Sequence, residues 1–188
     1  MSVLLARAKS ISGWMNPSDL TFLAEQAQRA QTLVEIGCWM GRSTRALADN
    51  KPQTATLHCI DTWRGSENEI VHRKMIADLG GEDPIFTIFR HNLFDCDNLV
   101  VHRGRSEDVR PELDPLCGRV DFLFIDGNHT FAGVETDIRL YKELVTPGGV
   151  IAGHDLDNNG VKWAVETHFG IAYQCVPGGR IWWTVTRT

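Results

Sequence analysis

The sequence lacks a long apolar run, a secretory signal and CxxC cysteine pairs, and each absence argues against one class of protein. No apolar run comes near the roughly 20 residues that a helix needs to cross a bilayer, and Met1–Ser10 becomes charged too early for a secretory signal. The five cysteines are odd in number and include no CxxC pair, which argues against a structural zinc site and favours a reducing compartment. We therefore expect a cytoplasmic protein that has no membrane partner.

A long run of basic residues is also missing. The 19 lysines and arginines are scattered among 24 acidic residues, and the formal net charge is -5. Binding to nucleic acid depends on a basic surface, because neutralised phosphates release counterions, so no nucleic-acid partner is expected. The 188 residues, of which 43% are hydrophobic, suffice for the core of one domain. We predict a single domain over residues 1–188.

Strand-like apolar segments alternate with helical segments along most of the chain. Asn16 and Pro17 predict a helix start, and residues 1–31 are expected to form a helical cover. The alternation that follows predicts a parallel sheet covered by helices on both faces. Two last segments, 171–176 and 181–186, predict a hairpin. The predicted strands of the parallel part are Thr32–Ile36, Thr56–Asp61, Leu99–His102, Val120–Asp126 and Val150–Gly153.

A glycine-containing turn follows the first predicted strand. Gly37 and Gly41 allow a tight turn, and the next helix offers free N–H groups to a carboxylate. Only three residues separate these glycines and Arg42 follows, which departs from a phosphate-binding P-loop. The middle glycine that a dinucleotide pyrophosphate needs is absent as well. S-adenosylmethionine has no phosphate and suits the turn better, although a plain strand–helix turn would look the same.

Polar side chains stand at the ends of the next two predicted strands. Asp61 ends the second strand, where a carboxylate can accept hydrogen bonds from both ribose hydroxyls, unless it is a helix or turn cap. Ser106 and Glu107 follow the third strand, where an adenine edge would lie, although both residues also fit a helix start. Because ligands of open parallel sheets bind at the carboxyl ends of the strands, these residues are candidates for one site.

The last two parallel strands end in acids and imidazoles. Asp126 ends the fourth strand, and His154 and Asp155 end the fifth. Oxygen and imidazole ligands at this density suit a divalent cation such as Mg²⁺ or Mn²⁺. The alternative is that Asp155 caps the last helix and that His154 is a polar pocket residue. A metal site is therefore one of two interpretations.

Four segments, taken in order, resemble the class I S-adenosylmethionine-dependent methyltransferases. Within that class the chain is similar to the group related to cephalosporin-hydroxylase-like and macrolide-sugar O-methyltransferases, and more distantly to catechol O-methyltransferase. The resemblance implies an α/β fold, a Rossmann-like three-layer sandwich with a mostly parallel seven-stranded sheet and an antiparallel C-terminal hairpin at its edge. The segments are Val34–Thr44, Ile60–Ser66, Phe124–His129 and Pro147–Asp155.

The resemblance implies a place for the cofactor at the first two strand ends. Glu35 and Gly37 would border the methionine part of S-adenosylmethionine, with Ser43 nearby at the helix start. Asp61 would hold the ribose, and Trp63 would flank the adenosine.

The remaining strand ends resemble the family's adenine and metal positions. Ser106 and Glu107 match the adenine-contacting turn, and Asp126 would lie beside the transferred methyl group. In metal-dependent relatives that acid binds a cation together with two residues after the fifth strand, commonly an acid followed by an acid or amide. Here those two are His154 and Asp155, so the resemblance leaves the metal open and also allows His154 as a general base.

Methyl transfer from a sulfonium needs an aligned, deprotonated nucleophile. A hydroxyl acceptor loses its proton to a positioned base or to a metal, and His129 and His154 are the available bases. We predict Asp126, His129 and His154 as the catalytic residues, although His129 also fits an exposed residue at a helix start. The predicted activity is methyl transfer to a small molecule, a sugar or another hydroxylated metabolite.

Two alternative functions and one possible subunit contact are also compatible with the sequence. An NAD-dependent oxidoreductase and a non-catalytic protein that binds S-adenosylmethionine would both share the fold. The 64–94 segment is expected to cover the substrate. Trp183, if it pointed outward from the last strand, would belong to a homodimer interface.

Overall fold

Seven strands form one mixed sheet in the computed structural model, which describes residues 2–66 and 69–187. The strand order is β3-β2-β1-β4-β5-β7-β6; the first five strands in this order are parallel, and β7 and β6 are antiparallel. This confirms the predicted fold class. The strands are β1 (Thr32–Ile36), β2 (Thr56–Asp61), β3 (Leu99–Arg103), β4 (Val120–Ile125), β5 (Val145–Gly153), β6 (Gln174–Cys175) and β7 (Trp182–Val185).

Helices cover both faces of the sheet. Two 3₁₀ helices, Arg110–Leu116 and Lys142–Leu144, precede β4 and β5. Among the described residues, no helix has the length and apolar character needed to span a membrane. The α-helices are α1 (Ala6–Ser10), α2 (Pro17–Ala27), α3 (Arg42–Asn50), α4 (Ile70–Leu79), α5 (Pro84–Asn92), α6 (Ser106–Val109), α7 (Phe131–Tyr141) and α8 (Asn159–Phe169).

The central strand β1 shows why both faces must be covered. Its side chains alternate between two hydrophobic clusters, so that Leu33 packs in one cluster while Val34 and Ile36 pack in the other. Leu33 and Val34 have no exposed surface. A strand buried on both sides is the expected position for the middle of a parallel sheet.

The helix start predicted at Asn16 is confirmed. The Asn16 side chain accepts hydrogen bonds from the backbone N–H groups of Ser18 and Asp19, and the Asp19 carboxylate accepts one from the Asn16 N–H. This reciprocal capping box fixes the start of α2. The Asp19 side chain is fully buried, which the sequence alone does not indicate.

The C-terminal hairpin is shorter than the sequence predicts. Its strands are two and four residues long, because Ile171 is almost fully exposed and has no core to pack against. Cys175 lies in an apolar, strand-like stretch of the sequence, which predicts a small core residue, but it is exposed on the edge strand, so that prediction is wrong. Trp182 is fully buried, while Trp183 is half-buried with its ring 6.0 Å from that of Phe22 in the same chain.

The turns after β1 and β4 lie directly against each other. Gly37 has a φ of +88°, in the left-handed region, and an added Cβ would overlap the backbone carbonyl of Asp126. Only glycine fits both the backbone conformation and the close approach. The two strand ends are thereby brought together at one edge of the sheet.

We expect Gly37→Ala to destabilise the fold by about 3–5 kcal/mol, from left-handed strain and overpacking together. Gly148→Ala is the matched control, since Gly148 has a φ of +81° but nothing within 4 Å of an added Cβ. It should cost only the strain, about 1–2 kcal/mol. Urea unfolding of both variants measures the difference, and equal losses would contradict the packing argument.

Candidate active site

A cavity of about 910 Å³ opens at the carboxyl ends of the parallel strands. Most of the site residues predicted from the sequence line it, and they come from five different strand ends or the turns after them. Glu35 and Trp63, also predicted, are not among the lining residues. The predicted residues that line the cavity are Gly37, Ser43, Asp61, Ser106, Glu107, Asp126, His129, His154 and Asp155.

Asp61 fixes the turn that follows β1. Its Oδ2 accepts hydrogen bonds from the N–H groups of Cys38 and Trp39, both at 2.8 Å, and its Oδ1 accepts one from Trp63 N–H at 2.7 Å. Burial raises the pKa of this carboxyl, although the backbone N–H groups work against that shift. Both lone pairs of Oδ2 are thus engaged, whereas Oδ1 keeps one lone pair, so a ribose hydroxyl can still donate to Oδ1.

Trp63 lies away from the place where the sequence puts it. Its side chain is 1% exposed and packs with ring centroids 4.8 Å from those of both Phe86 and Phe89. The indole N–H donates to the Trp39 carbonyl at 2.9 Å. The Trp63 ring, which the resemblance places beside the adenosine, is therefore buried against α5 instead.

Other aromatic side chains stand at the cavity instead. The rings of Trp39 and His72 are stacked with centroids 4.4 Å apart, and Trp14 lies 5.1 Å from His72. All three line the cavity. Trp39, inside the glycine turn, is the one member that the motif could have signalled; Trp14 and His72 join it only through the fold.

Glu35 lies beneath the turn as a fully buried carboxyl group. Burial raises its pKa to about 7; the hydroxyls of Ser43 and Thr44 offset part of this shift, and the charge of Asp126 adds to it. Neither carboxylate oxygen has a partner at hydrogen-bonding geometry among the described residues. The folded protein therefore favours the protonated form.

The turn after β3 is held by α7. The Ser106 hydroxyl donates to the carboxylate of Asp137, and the Tyr141 hydroxyl donates to the Ser106 carbonyl at 2.7 Å. Burial raises the pKa of Asp137 to about 7, with the Ser106 hydrogen bond opposing and the Glu107 charge assisting that shift. Asp137 also lines the cavity, and the sequence gives no sign of it because it reads as one polar position of a helix.

His129 is surrounded by three carboxylates. Its Nε2 lies 3.1 Å from Asp155 Oδ2 and 3.4 Å from Asp126 Oδ1, and its Nδ1 lies 2.7 Å from Glu69 Oε1. Burial would lower the pKa of this imidazole, but the negative charges raise it to about 9. Glu69 is the residue directly before α4. It does not follow a predicted strand, so the sequence does not mark it as a site residue.

His154 lies deeper, with 2% of its side chain exposed. Its Nδ1 lies 3.2 Å from Asp155 Oδ2 and 3.7 Å from Asp126 Oδ1, and its Nε2 lies 3.3 Å from Asp19 Oδ2. Burial alone would lower the pKa of this imidazole, but the neighbouring carboxylates raise it to about 10. The ring therefore bridges the rim of the sheet to α2.

The predicted metal ligands are brought together. Asp126, His154 and Asp155 each offer one atom, and these atoms lie within 4.8 Å of one another. Asp155 has a φ of +58°, a conformation that is uncommon outside glycine and that clusters at functional sites. Its other carboxylate oxygen is paired with Arg180 at 2.5 Å. The fold thus supports a cation site here as far as donor atoms are concerned.

Comparison with known proteins identifies the family. Residues 34–156 match the model of a methyltransferase domain, and the chain belongs to this family. A relative from Acanthamoeba polyphaga mimivirus, an uncharacterized protein, is 28% identical over 137 residues, which are 72% of this chain and 55% of that protein. The chain thus spans about half the length of this curated relative. The resemblance to methyltransferases is confirmed.

Solved structures show the same fold at lower identity. An O-methyltransferase from Bacillus cereus, in complex with S-adenosylhomocysteine, has a TM-score of 0.64 at 21% identity, covering 96% of this chain and 86% of that one. An O-methyltransferase of tomaymycin synthesis from Streptomyces achromogenes, in complex with S-adenosylmethionine, has a TM-score of 0.65 at 18% identity, covering 92% and 82%.

We expect Glu35→Gln to stabilise the protein more at high pH than at low pH. Because the folded pKa of about 7 exceeds the ordinary value of 4.5, the protonated carboxyl stabilises the fold fully below pH 4.5. That contribution is lost as the pH rises through 7. The stability difference between variant and wild type should therefore grow by about 2–3 kcal/mol from pH 5 to pH 8.

Urea unfolding at the two pH values measures this difference. Glu25→Gln, at an exposed position of α2, is the control and should show a much smaller change. Parallel stability curves for wild type and Glu35→Gln would contradict the buried-acid assignment.

Proposed function

We propose that this protein transfers a methyl group from S-adenosylmethionine to a hydroxyl oxygen of a small molecule. The observation that carries the proposal is the cavity in which the Gly37 turn, Asp61, Ser106 and Asp126 meet, inside the segment that matches the methyltransferase family. Its volume of about 910 Å³ is near the upper end for small-molecule sites. That leaves room for an acceptor beside the cofactor.

The residues around the turn fit S-adenosylmethionine better than NAD. The Gly37 turn has no middle glycine to admit a pyrophosphate, and its first N–H groups already donate to Asp61. The remaining lone pair of Asp61 Oδ1 suits a ribose hydroxyl, and Asp137 adds a carboxyl group near the expected adenine position. The two solved relatives are described with S-adenosylhomocysteine and S-adenosylmethionine bound, which supports the same choice.

We infer that His129, rather than His154, takes the proton from the acceptor hydroxyl in its neutral form, which prevails above its raised pKa of about 9. Both histidines line the cavity and face carboxylates with both ring nitrogens, but the side chain of His129 is 23% exposed whereas that of His154 is only 2% exposed. Glu69 binds Nδ1 of His129 and so holds Nε2 toward the cavity side, where Asp126 and Asp155 stand. A base must reach the proton it accepts, which favours the more exposed imidazole.

A divalent cation held by Asp126, His154 and Asp155 belongs to the same proposal. When bound, such a cation would act as a Lewis acid that lowers the pKa of the acceptor hydroxyl. The aromatic surface of Trp14, Trp39 and His72 suits the apolar face of a ring-shaped acceptor, which agrees with the sugar or hydroxylated metabolite that the sequence suggests.

We expect S-adenosylhomocysteine to bind and NAD not to bind in titration calorimetry. Asp61→Asn should weaken the S-adenosylhomocysteine interaction by at least tenfold, because a charged acceptor of hydrogen bonds is worth about 1.5–3 kcal/mol. Asp78→Asn, an exposed position on α4, should leave the affinity unchanged. Binding of NAD in place of S-adenosylhomocysteine would support an oxidoreductase and end the proposal.

We expect His129→Gln to lower the rate constant of methyl transfer by about 10²–10⁴, the usual contribution of a positioned base. The affinity for S-adenosylhomocysteine should stay within about twofold, and His91→Gln, at an exposed position, should have no effect. Transfer of a radiolabelled methyl group to a panel of hydroxylated metabolites gives the rates. An unchanged rate would remove His129 from the mechanism, and cofactor binding without turnover on any acceptor would indicate a non-catalytic protein.

A further inference from the structure

We propose that the cation of this site is a borderline first-row transition ion such as Zn²⁺, Fe²⁺ or Co²⁺, bound in preference to Mg²⁺ through the Nδ1 atom of His154. The inference rests on the cation site of the proposed function and adds the chemical class of the metal. It depends on His154, whose position in metal-dependent relatives is commonly an acid.

The donor atoms are already spaced for one ion. His154 Nδ1 lies 3.2 Å from Asp155 Oδ2 and 3.7 Å from Asp126 Oδ1. Ligand atoms that each lie about 2.0–2.2 Å from a metal are separated from one another by roughly 3–4 Å. The three side chains can therefore surround an ion with little movement.

The orientation of the imidazole is fixed from behind. His154 Nε2 faces Asp19 Oδ2 at 3.3 Å, and the Asp19 side chain has no exposed surface. Asp19 is itself held, since its Oδ1 accepts the backbone N–H of Arg180 at 2.9 Å. A histidine that binds a metal almost always donates its other ring N–H to such an acceptor. Asp19 thereby assigns the proton to Nε2 and leaves the lone pair of Nδ1 for the ion.

Asp155 is prepared in the same manner. One oxygen is held by the Arg180 guanidinium at 2.5 Å, while the other faces both His154 and His129. Each of these two ligands therefore has one atom tied to the protein and one atom directed into the site. Polar residues that bind no ion would not need one atom held by the protein and the other directed into the site.

The nitrogen donor decides which metals are favoured. Mg²⁺ prefers six oxygen ligands in a nearly ideal octahedron, many of them water. Imidazole suits Zn²⁺, Fe²⁺ and their neighbours, and their affinity for mixed nitrogen and oxygen sites generally exceeds that of harder ions. His154 thus shifts the preference of a site that would be all-oxygen with an acid at this position.

Calorimetric titration of the metal-free full chain with ZnCl₂ and MgCl₂, without cofactor or acceptor, tests the proposal. We expect one Zn²⁺ to bind at least 100-fold more tightly than Mg²⁺. His58 and His102, whose ring nitrogens lie 3.0 Å apart on β2 and β3, form a second place where zinc can bind. The titrations are therefore performed on the His102→Gln variant.

Histidine ¹⁵N NMR identifies the donor atom without any assay of activity. Zinc should shift one Nδ1 resonance in the manner of a metal-bound nitrogen, and His154→Asp should remove that shift. The same variant should lose at least tenfold in zinc affinity and approach parity between Zn²⁺ and Mg²⁺. Asp19→Asn keeps all three ligands and should weaken zinc binding by about 10–100-fold while the Nδ1 shift persists.

Three results would overturn the proposal: Mg²⁺ binding as tightly as Zn²⁺, a zinc-induced Nδ1 shift that survives His154→Asp, or no metal binding at all. The NMR titration of the His102→Gln protein, in which His154 is intact, decides the question even if a further variant fails to fold. Because no cofactor is present, failure here leaves methyl transfer untouched, whereas failure to bind S-adenosylhomocysteine would end the proposed function and leave the metal result standing.

Discussion

The close approach of two backbone turns is the constraint on which the site depends. Gly37 lies so near the carbonyl of Asp126 that no side chain fits between them, and Asp61 gathers the N–H groups of the following turn onto one carboxylate. These contacts join three strand ends that are far apart in sequence. The cavity, its acids and its imidazoles keep their mutual distances because the backbone beneath them has no room to shift.

The sequence predicts the parts of the site that the strand pattern controls. Asp61, Asp126 and His154 follow apolar runs directly, and in a parallel sheet such ends meet at one edge whatever the helices do. The mostly parallel seven-stranded sheet and its antiparallel C-terminal hairpin follow from the resemblance, and the structure confirms them. Trp63 is different, because its place depends on where α5 packs, and no local pattern encodes that packing.

The residues that the sequence misses reach the rim from outside the strand ends. Asp19 is an ordinary capping-box residue when read locally, yet α2 packs so that its carboxylate meets His154, 135 positions later. Glu69 and Arg180 likewise arrive from a loop and from the hairpin. Contacts over such separations depend on tertiary packing, which composition and periodicity do not report. The N-terminal helices are thus connected to the chemistry by hydrogen bonds as well as by apolar packing.

Glu69, the residue before α4, links the position of that helix to the orientation of His129. The same carboxylate touches His129 with one oxygen and His72 with the other, and His72 stacks on the Trp39 ring of the cofactor turn. Moving α4 away from the rim would take the partner of the imidazole with it. In the proposed mechanism, an outward movement of α4 that admitted a bulky acceptor would therefore also withdraw the carboxylate that orients the base.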